Sequence, residues 1–173
     1  MLGKSISEGD VVVDATCGNG NDTVFLSHLV GIGGKVISFD VQRAAICKTK
    51  ARLEEAGIEN VSLILDGHEN VLTYISSEIS AAVFNLGYLP GSDKTITTSG
   101  DTTWKAVIDI LSLLKIGGVI VLVVYHGHEE GKVERNHIEK AVRTLDADAT
   151  SVLRYEFLNK AHAPYIIAIE RVK

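Results

Sequence analysis

The sequence predicts an α/β fold in which a mostly parallel, seven-stranded sheet carries helices on both faces and closes with an antiparallel C-terminal hairpin. Short apolar segments bounded by Gly or Asp alternate with segments of helical periodicity, which is typical of successive βα units. The run VIVLVV at 119–124 is apolar throughout, as expected for a parallel strand buried on both faces. The last two strand-like runs are separated by little more than NKAHAP at 159–164, which is too short for a crossover helix.

This alternation assigns five strands and five helices before the hairpin. The predicted strands are Val11–Ala15, Lys35–Val41, Val61–Leu65, Ala81–Leu86 and Val119–Tyr125. The predicted helices cover about 21–31, 42–56, 69–79, 101–115 and 129–145. Gly117-Gly118 is interpreted as the stop of the fourth helix, and the hairpin comprises Val152–Phe157 and Tyr165–Val172.

Five βα units followed by an antiparallel pair are the strand plan of class I S-adenosyl-L-methionine (SAM)-dependent methyltransferases, a Rossmann-like fold. A dinucleotide-binding Rossmann domain would normally continue with parallel strands. The hairpin therefore favours a SAM-binding fold over one that binds NAD.

Length and composition predict a single domain over residues 1–173, with 46% hydrophobic and 23% charged residues. The longest apolar stretch is far shorter than the roughly 20 residues that span a bilayer. The N-terminus has no secretory signal pattern, and two cysteines fit a reducing compartment, so we expect a cytoplasmic protein that does not enter a membrane. Cys17 and Cys47 are interpreted as small packing residues.

The net charge of −5 argues against a surface that grips nucleic acid throughout. It leaves room for a local basic rim beside the site, or for scattered solvated charges. The residues concerned are Lys94, Lys132, Arg135 and Lys160.

The segment DATCGNGNDT at 14–23 follows the first predicted strand and contains a Gly-Asn-Gly turn that would let the backbone approach a nucleotide. A dinucleotide fingerprint requires a third small residue three positions after the second glycine, where this sequence has Thr23 preceded by Asp22. A carboxylate at a helix N-terminus would repel a pyrophosphate but suits the positive methionine end of SAM. Asp14 could contact the ammonium of a bound amino acid, or act as a cap.

Two further acids follow the second and third strands. Asp40 ends VISFD, where a carboxylate accepts hydrogen bonds from a ribose diol in NAD and SAM folds alike; it could also cap the next helix. Asp66, in LILDGH, could accept from an adenine amino group, with Gly67 allowing close approach, or act as a cap. Together with Asp14, these acids are expected at one edge of the sheet, and as a set they favour SAM.

The fourth strand is expected to supply the chemistry, because it ends in Asn85-Leu86 and is followed by Gly87-Tyr88-Leu89-Pro90. Transfer from a sulfonium needs an amine with its lone pair in line, and the Asn85 carbonyl could accept the amine's N–H bonds and orient it. Tyr88 could stack on a planar base. Asn85 and Tyr88 are therefore the predicted catalytic residues, the alternative being a polar strand end and a half-buried tyrosine. No catalytic cysteine is evident, which favours N-methylation over C-methylation.

The fifth strand ends in YHGHEE, whose His126 and His128 could suggest a metal site. No third ligand cluster lies nearby in sequence, so no metal is expected, and contact with substrate or general-base help is the better interpretation. The polar loop Thr95–Thr103 could bind phosphate or ribose, or cap the next helix. His68 and His162 are interpreted as surface histidines on residue type alone.

The motifs DATCGNGNDT, FDVQ, DGHEN, FNLGYLPGSD, ITTSGDTT, YHGHEEG and PYIIAIE occur in this order over nearly the whole chain. In this the sequence resembles small bacterial Rossmann methyltransferases labelled putative rRNA methylases. Members of that family methylate the aminomethyl group on the wobble uridine of tRNA, giving 5-methylaminomethyl-2-thiouridine. The resemblance implies a SAM-dependent N-methyltransferase that acts on the tRNA anticodon loop.

The resemblance also extends the candidate site. The implied cofactor-binding residues are Asp14, Thr16, Gly18, Asn19, Gly20, Asn21, Asp22, Thr23, Asp40, Gln42, Asp66, Gly67, His68 and Asn85. The implied substrate-binding residues are Leu86, Gly87, Tyr88, Pro90, Thr103, His126 and His128.

Other functions stay open at this level. Within the methyltransferase class, rRNA or a small amine could be the acceptor. A nicotinamide-dependent oxidoreductase and a non-catalytic SAM-binding module are the alternatives from other classes. A homodimer is also left open.

Overall fold

The computed structural model describes residues 2–87, 98–126, 129–160 and 163–173. In this part of the chain there are seven strands and six α-helices, which alternate until the last two strands, which are consecutive. The strands are β1 (Val11–Asp14), β2 (Lys35–Phe39), β3 (Val61–Ile64), β4 (Ile79–Leu86), β5 (Leu114–Val124), β6 (Thr150–Tyr155) and β7 (Tyr165–Arg171). The helices are α1 (Leu2–Ser5), α2 (Asn21–Val30), α3 (Arg43–Glu55), α4 (Val71–Tyr74), α5 (Gly100–Leu113) and α6 (Glu129–Val142), with a 3₁₀ turn at His68–Asn70 before α4.

The strands form one sheet in the order β3-β2-β1-β4-β5-β7-β6. The first five strands are parallel, and β7 lies antiparallel between β5 and β6. The order reverses between β1 and β4, which is the topological switch point where doubly wound sheets bind their ligands. The predicted sheet with its antiparallel C-terminal hairpin is thus confirmed.

Alternating side chains of each strand bury two apolar layers, one on each face of the sheet. On one face, Val13 and Phe84 pack with Ala106 and Ile110 of α5 and with α6. On the other, Val12 and its neighbours pack with α2. Because both faces are covered, the central strands are apolar almost without interruption.

The glycine pair at 117–118 is not the helix stop that the sequence predicts. α5 ends at Leu113, and β5 begins at once, pairing Leu114 with Ile79 before a bulge after which Val119 pairs with Ala81. The two glycines lie in this bulge, with Gly117 at a φ of 77°. A glycine is needed there because the backbone turns into the left-handed region inside a strand.

The predicted helix over 69–79 is also shorter than expected. It consists of the 3₁₀ turn and α4, and at Ile75 the backbone is already extended. The segment Thr73–Ile75 contains β-branched and aromatic residues, and two serines follow, a composition that favours helix poorly. Among the described residues, no helix is long and apolar enough to cross a membrane.

Candidate active site

The carboxyl ends of β3, β2, β1 and β4 lie side by side at one edge of the sheet. Asp14 is the last residue of β1, Asp40 directly follows β2, and Asp66 comes two residues after β3. The topology therefore brings the three acids to one edge, as predicted, and places Asn85 of β4 beside them.

The glycine turn after β1 is held against β2 and α3. The backbone N–H of Gly18 donates to Asp40 at 3.0 Å, and the Thr49 hydroxyl donates to the Gly18 carbonyl at 3.1 Å. A side chain at Gly20 would meet Thr49 at 3.0 Å, and both glycines have positive φ. The other oxygen of Asp40 accepts the Gln42 N–H at 2.9 Å. Asp40 therefore ties the turn to the start of α3.

Asp14 is completely buried. Its carboxylate accepts the Thr23 hydroxyl at 2.6 Å and the Thr16 N–H at 3.2 Å. Burial raises the pKa of this carboxyl to about 7, and the negative charges of Asp22 and Asp40 add to the shift while the two hydrogen bonds oppose it. Because Asp14 is fully buried, its carboxylate can act on a bound cation only indirectly, through its hydrogen-bonded neighbours.

The Asp66 carboxylate forms hydrogen bonds within the segment that directly follows it. It accepts from the Gly67 N–H, from Asn70 at 3.0 Å and from the Tyr74 hydroxyl at 2.8 Å. These bonds, that of Tyr74 first, lower the pKa of the Asp66 carboxyl. A Cβ at Gly67 would meet only the carboxyl end of the Glu69 side chain, which can swing away, so packing alone does not require this glycine.

His68 is not the surface histidine that the sequence suggests, since only 8% of it is exposed. Its Nδ1 lies 3.0 Å from the Ala15 carbonyl, and its ring contacts Phe84 edge to face. A carbonyl only accepts, so Nδ1 carries the proton, and burial lowers the pKa of the imidazole. The neutral ring then leaves Nε2 as an acceptor, which is buried and has no partner among the described residues.

Asn85 joins the acid edge to the end of β4. Its backbone N–H donates to the Thr16 hydroxyl at 2.7 Å, and its side-chain amide donates to Asp22 at 2.6 Å. Thr16 and Asp22, both predicted to bind cofactor, thus also hold the predicted catalytic residue. Asn21, next to Asp22, accepts a hydrogen bond from the Arg52 guanidinium.

Beyond Asn85, the structure revises two predicted substrate contacts. Leu86 is 1% exposed and packs in the core, because the alternation of β4 turns it inward. Thr103 is completely buried, and its hydroxyl donates to Glu134 at 2.8 Å. Both side chains are buried in the core, so neither is available to contact a substrate.

Glu134 is a residue that the sequence analysis missed. It is 3% exposed and accepts from Thr98 at 2.5 Å as well as from Thr103. The sequence does indicate that Glu134 is buried. It precedes Ile138 by four residues and Ala141 by seven, which places this acid on the apolar stripe of α6.

Beyond β4, His126 follows β5 and stacks edge to face on Tyr165, with ring centroids 5.6 Å apart. The Tyr165 hydroxyl donates to Glu139, and burial together with this bond raises the pKa of the phenol. The Arg154 guanidinium lies 4.1 Å from the Tyr165 ring centroid. Nδ1 of His126 is buried without a partner among the described residues, so this imidazole is held at the site edge by its ring contact.

Several predicted residues lie outside the described part of the chain, namely Tyr88, Pro90, Lys94, His128 and His162. Of the cysteines, Cys17 is buried, and burial raises the pKa of its thiol to about 12. Cys47 is exposed, so its interpretation as a packing residue is wrong. No group of three metal-ligating side chains occurs within residues 2–87, 98–126, 129–160 and 163–173.

The donor set fits SAM. The edge offers carboxylates for a ribose diol and an ammonium, a glycine turn that lets the backbone approach a ligand, and the buried Nε2 of His68, without a partner among the described residues, as an acceptor for an amino group. The residues that would hold SAM are those around Asp14, the glycine turn, Asp40 and His68.

Comparison with known proteins agrees with this fold. A structure described as a putative rRNA-methylase from Clostridium thermocellum superposes with a TM-score of 0.96 at 41% identity, covering 98% of this chain and 92% of that one. A putative methyltransferase from Streptococcus mutans in complex with SAH has a TM-score of 0.90 at 42% identity, covering 98% and 93%. A chloroplastic tRNA (mnm(5)s(2)U34)-methyltransferase from Arabidopsis thaliana is 37% identical over 173 residues, covering 94% of this chain. This chain spans 63% of the length of that relative.

The fold, with its acids at one edge of the sheet, is that of the class I SAM-dependent methyltransferases. More particularly, the family model described as "Putative rRNA methylase" matches residues 36–170, and the chain belongs to that family.

Proposed function

We propose that this protein methylates the amine of the 5-aminomethyl group on wobble 2-thiouridine of tRNA, with SAM as methyl donor. The name of the Arabidopsis thaliana relative supports this acceptor. The family and the bound SAH of the Streptococcus mutans structure support the donor.

The observation that carries the proposal is the orientation of Asn85. Its amide NH₂ donates to Asp22, and a carboxylate can only accept, so the amide cannot be turned round without losing this bond. The carbonyl oxygen Oδ1 therefore points away from Asp22 and has no partner among the described residues. A primary amine with two N–H groups can donate to such an oxygen and keep its lone pair free for attack.

When bound, SAM supplies an electrophilic methyl group on a positively charged sulfur. The residues of this chain would contribute position and orientation, which are worth much of the barrier in a displacement between two held reactants. Asn85 would fix the amine, Thr16 would fix the backbone of Asn85, and His126 would face the acceptor from β5. Tyr88, on sequence grounds, would stack on the uracil ring.

On the cofactor side, the proposal keeps the assignments made from sequence except at Asp14 and Asp66, since the Asp66 carboxylate is engaged by its own loop. The glycine turn and Asp22 would surround the methionine end, Asp40 and Gln42 the ribose, and Gly67 and His68 the adenine. Asp14 would support the glycine turn without contacting SAM directly, because it is completely buried.

An RNA acceptor fits the exposed aromatics at this edge. β6 runs antiparallel to β7, so its C-terminal end lies at the same edge as His126. Tyr155 and Phe157 are 58% and 52% exposed there, and the Lys160 ammonium lies 4.8 Å from the Phe157 ring centroid. Exposed rings beside a cation suit the bases and phosphates of a single-stranded loop, here the anticodon loop.

The test is a nucleoside mass profile of tRNA and rRNA from cells that lack the gene, before and after treatment with the protein and SAM. The expected result is loss of 5-aminomethyl-2-thiouridine and gain of its singly methylated form. A methyl group gained in rRNA alone would overturn the tRNA acceptor. If neither RNA gains a methyl group while SAH still binds, the RNA acceptor fails and a small amine becomes the candidate.

We also propose that the protein acts in the cytoplasm and forms a homodimer. In the described chain, β6 is the edge strand of the sheet, with large apolar side chains exposed on it. Light scattering on the purified protein tests the dimer, and a monomer mass at micromolar concentration would overturn it.

A further inference from the structure

A buried carboxylate lies behind the acceptor side of the site. Glu134 of α6 is 3% exposed, and its two oxygens accept one hydroxyl each, from Thr98 at 2.5 Å and from Thr103 at 2.8 Å. A buried carboxylate needs such partners, since an unpaired charge in the interior is costly.

The Thr98 hydroxyl makes a second bond that reaches the site. It accepts the backbone N–H of Gly87 at 2.9 Å, and the Thr98 N–H donates in return to the Gly87 carbonyl at 3.3 Å. Gly87 is the second residue after Asn85 and has a φ of 138°, a conformation that side chains rarely adopt. The backbone just beyond the amine-orienting residue is thus held in an unusual conformation by one threonine.

Glu134 decides which way this threonine points. A carboxylate cannot donate, so the Thr98 O–H must be directed at Glu134, and its lone pairs are left for Gly87. Charge-assisted hydrogen bonds of this kind are short and strong, which agrees with the 2.5 Å distance. The chain of contacts runs from Glu134 through Thr98 to Gly87 without a gap.

We infer that Glu134 is a positioning residue for the methyl acceptor, acting through the Thr98 hydroxyl on the backbone at Gly87. This inference rests on the proposed transfer to an RNA amine. Neither of the two described hydroxyls that donate to Glu134 belongs to Asn85 or to a residue that would hold SAM, so its effect is expected on the acceptor and not on the cofactor.

The test uses Glu134→Gln and Thr98→Val, which keep the side-chain shape, with Thr98→Ser as the conservative rescue. Ser27→Ala is the matched control, because Ser27 of α2 is 5% exposed and donates to Asn60, just before β3, at 2.9 Å. Two readouts are measured for each: the amide exchange rate of Gly87 by NMR, and kcat, KM and SAH affinity with tRNA as acceptor.

Glu134→Gln and Thr98→Val should each speed the exchange of the Gly87 amide about tenfold. Each should lower kcat on tRNA about tenfold, with SAH affinity within about twofold of wild type. Thr98→Ser should restore both values, and Ser27→Ala should leave them unchanged.

Unchanged Gly87 exchange in both variants would overturn the inference, whatever the acceptor. Faster exchange with wild-type kcat and KM would also overturn it, because Gly87 would then be held without consequence. If the wild-type protein methylates no tRNA, the proposed function fails instead, and SAH binding with altered Gly87 exchange would show that the two failures are separate.

Discussion

The side-chain amide of Asn85 donates a 2.6 Å hydrogen bond to the carboxylate of Asp22, which ties the end of β4 to the first turn of α2. The bond joins the residue that would orient the acceptor to the segment that would surround the methionine end of SAM. It also fixes which end of the Asn85 amide faces the site. One side-chain hydrogen bond therefore links the proposed acceptor side of the site to the proposed cofactor side.

Asn85→Ala should lower kcat by about 10²-fold or more, because it removes the oxygen that orients the amine. SAH affinity should change less than about threefold, since the glycine turn and Asp40 remain. Steady-state methylation of tRNA and calorimetric titration with SAH measure the two effects. Equal losses in kcat and in SAH affinity would contradict an acceptor-orienting role.

Asp22→Asn should lower kcat by about tenfold, because an amide partner no longer dictates the orientation of Asn85. The double variant with Asn85→Ala should be no worse than Asn85→Ala alone, as the two residues act as a unit. Additive losses in this double-mutant cycle would show that Asp22 acts independently of Asn85.

Asp14 should make stability depend on pH. Burial raises its pKa in the fold to about 7, above the 3.8 of an ordinary aspartate. Its contribution to stability is full below about pH 4, where both states are protonated, and is lost as the pH rises through 7. Asp14→Asn cannot ionise, so the Tm of wild type relative to this variant should fall by about 5 °C between pH 4.5 and 7.5.

Scanning calorimetry from pH 4.5 to 8 measures this difference. Asp148→Asn, at an exposed position, is the matched control for the loss of one carboxyl. A difference between Asp14→Asn and wild type that stays constant with pH would contradict a burial-driven titration of Asp14.

The sheet was predictable because each of its strands can be recognised from a few consecutive residues. Each parallel strand is a short apolar run, and an acid follows each of the first three, so sequence order alone brings Asp14, Asp40 and Asp66 to one edge. The hairpin was predictable from the short connection at 159–164. These features need no knowledge of side-chain packing.

The parts that sequence missed depend on which way side chains turn. Leu86 and Thr103 lie in motifs that resemble a substrate-binding surface, but the strand and helix periods turn both inward. His68 follows an acid in a polar stretch, yet its ring is buried against Phe84. Glu134 is separated by 36 residues from Thr98, and no local pattern announces such a pairing.

Gly118→Ala should destabilise the fold by about 1–3 kcal/mol. A Cβ there would lie 2.8 Å from the carbonyl oxygens of Lys115 and Ser80, and backbone atoms cannot yield as a flexible side chain does. Gly3→Ala, where a Cβ meets nothing within 4 Å, is the control. Urea titration followed by circular dichroism measures both, and a wild-type midpoint for Gly118→Ala would mean that the bulge can relax.

Phe157→Ala should raise KM for tRNA by about fivefold or more, because stacking of one base on an aromatic ring is worth roughly 1–3 kcal/mol. Phe157 is 52% exposed at the site edge and lies next to Lys160, so its loss should leave SAH affinity unchanged. The matched control is Ile32→Ala, since Ile32 is 96% exposed between α2 and β2, at the opposite edge of the sheet.

A free 5-aminomethyl-2-thiouridine nucleoside separates binding of the loop from chemistry. Phe157→Ala should methylate this small acceptor at the wild-type rate, because a single nucleoside bound at Asn85 does not extend as far as β6. If the variant loses activity on the nucleoside and on tRNA to the same degree, Phe157 supports the fold of the hairpin and contributes no surface to RNA. If KM for tRNA rises while the nucleoside rate holds, the edge from His126 to Phe157 is the path of the anticodon loop.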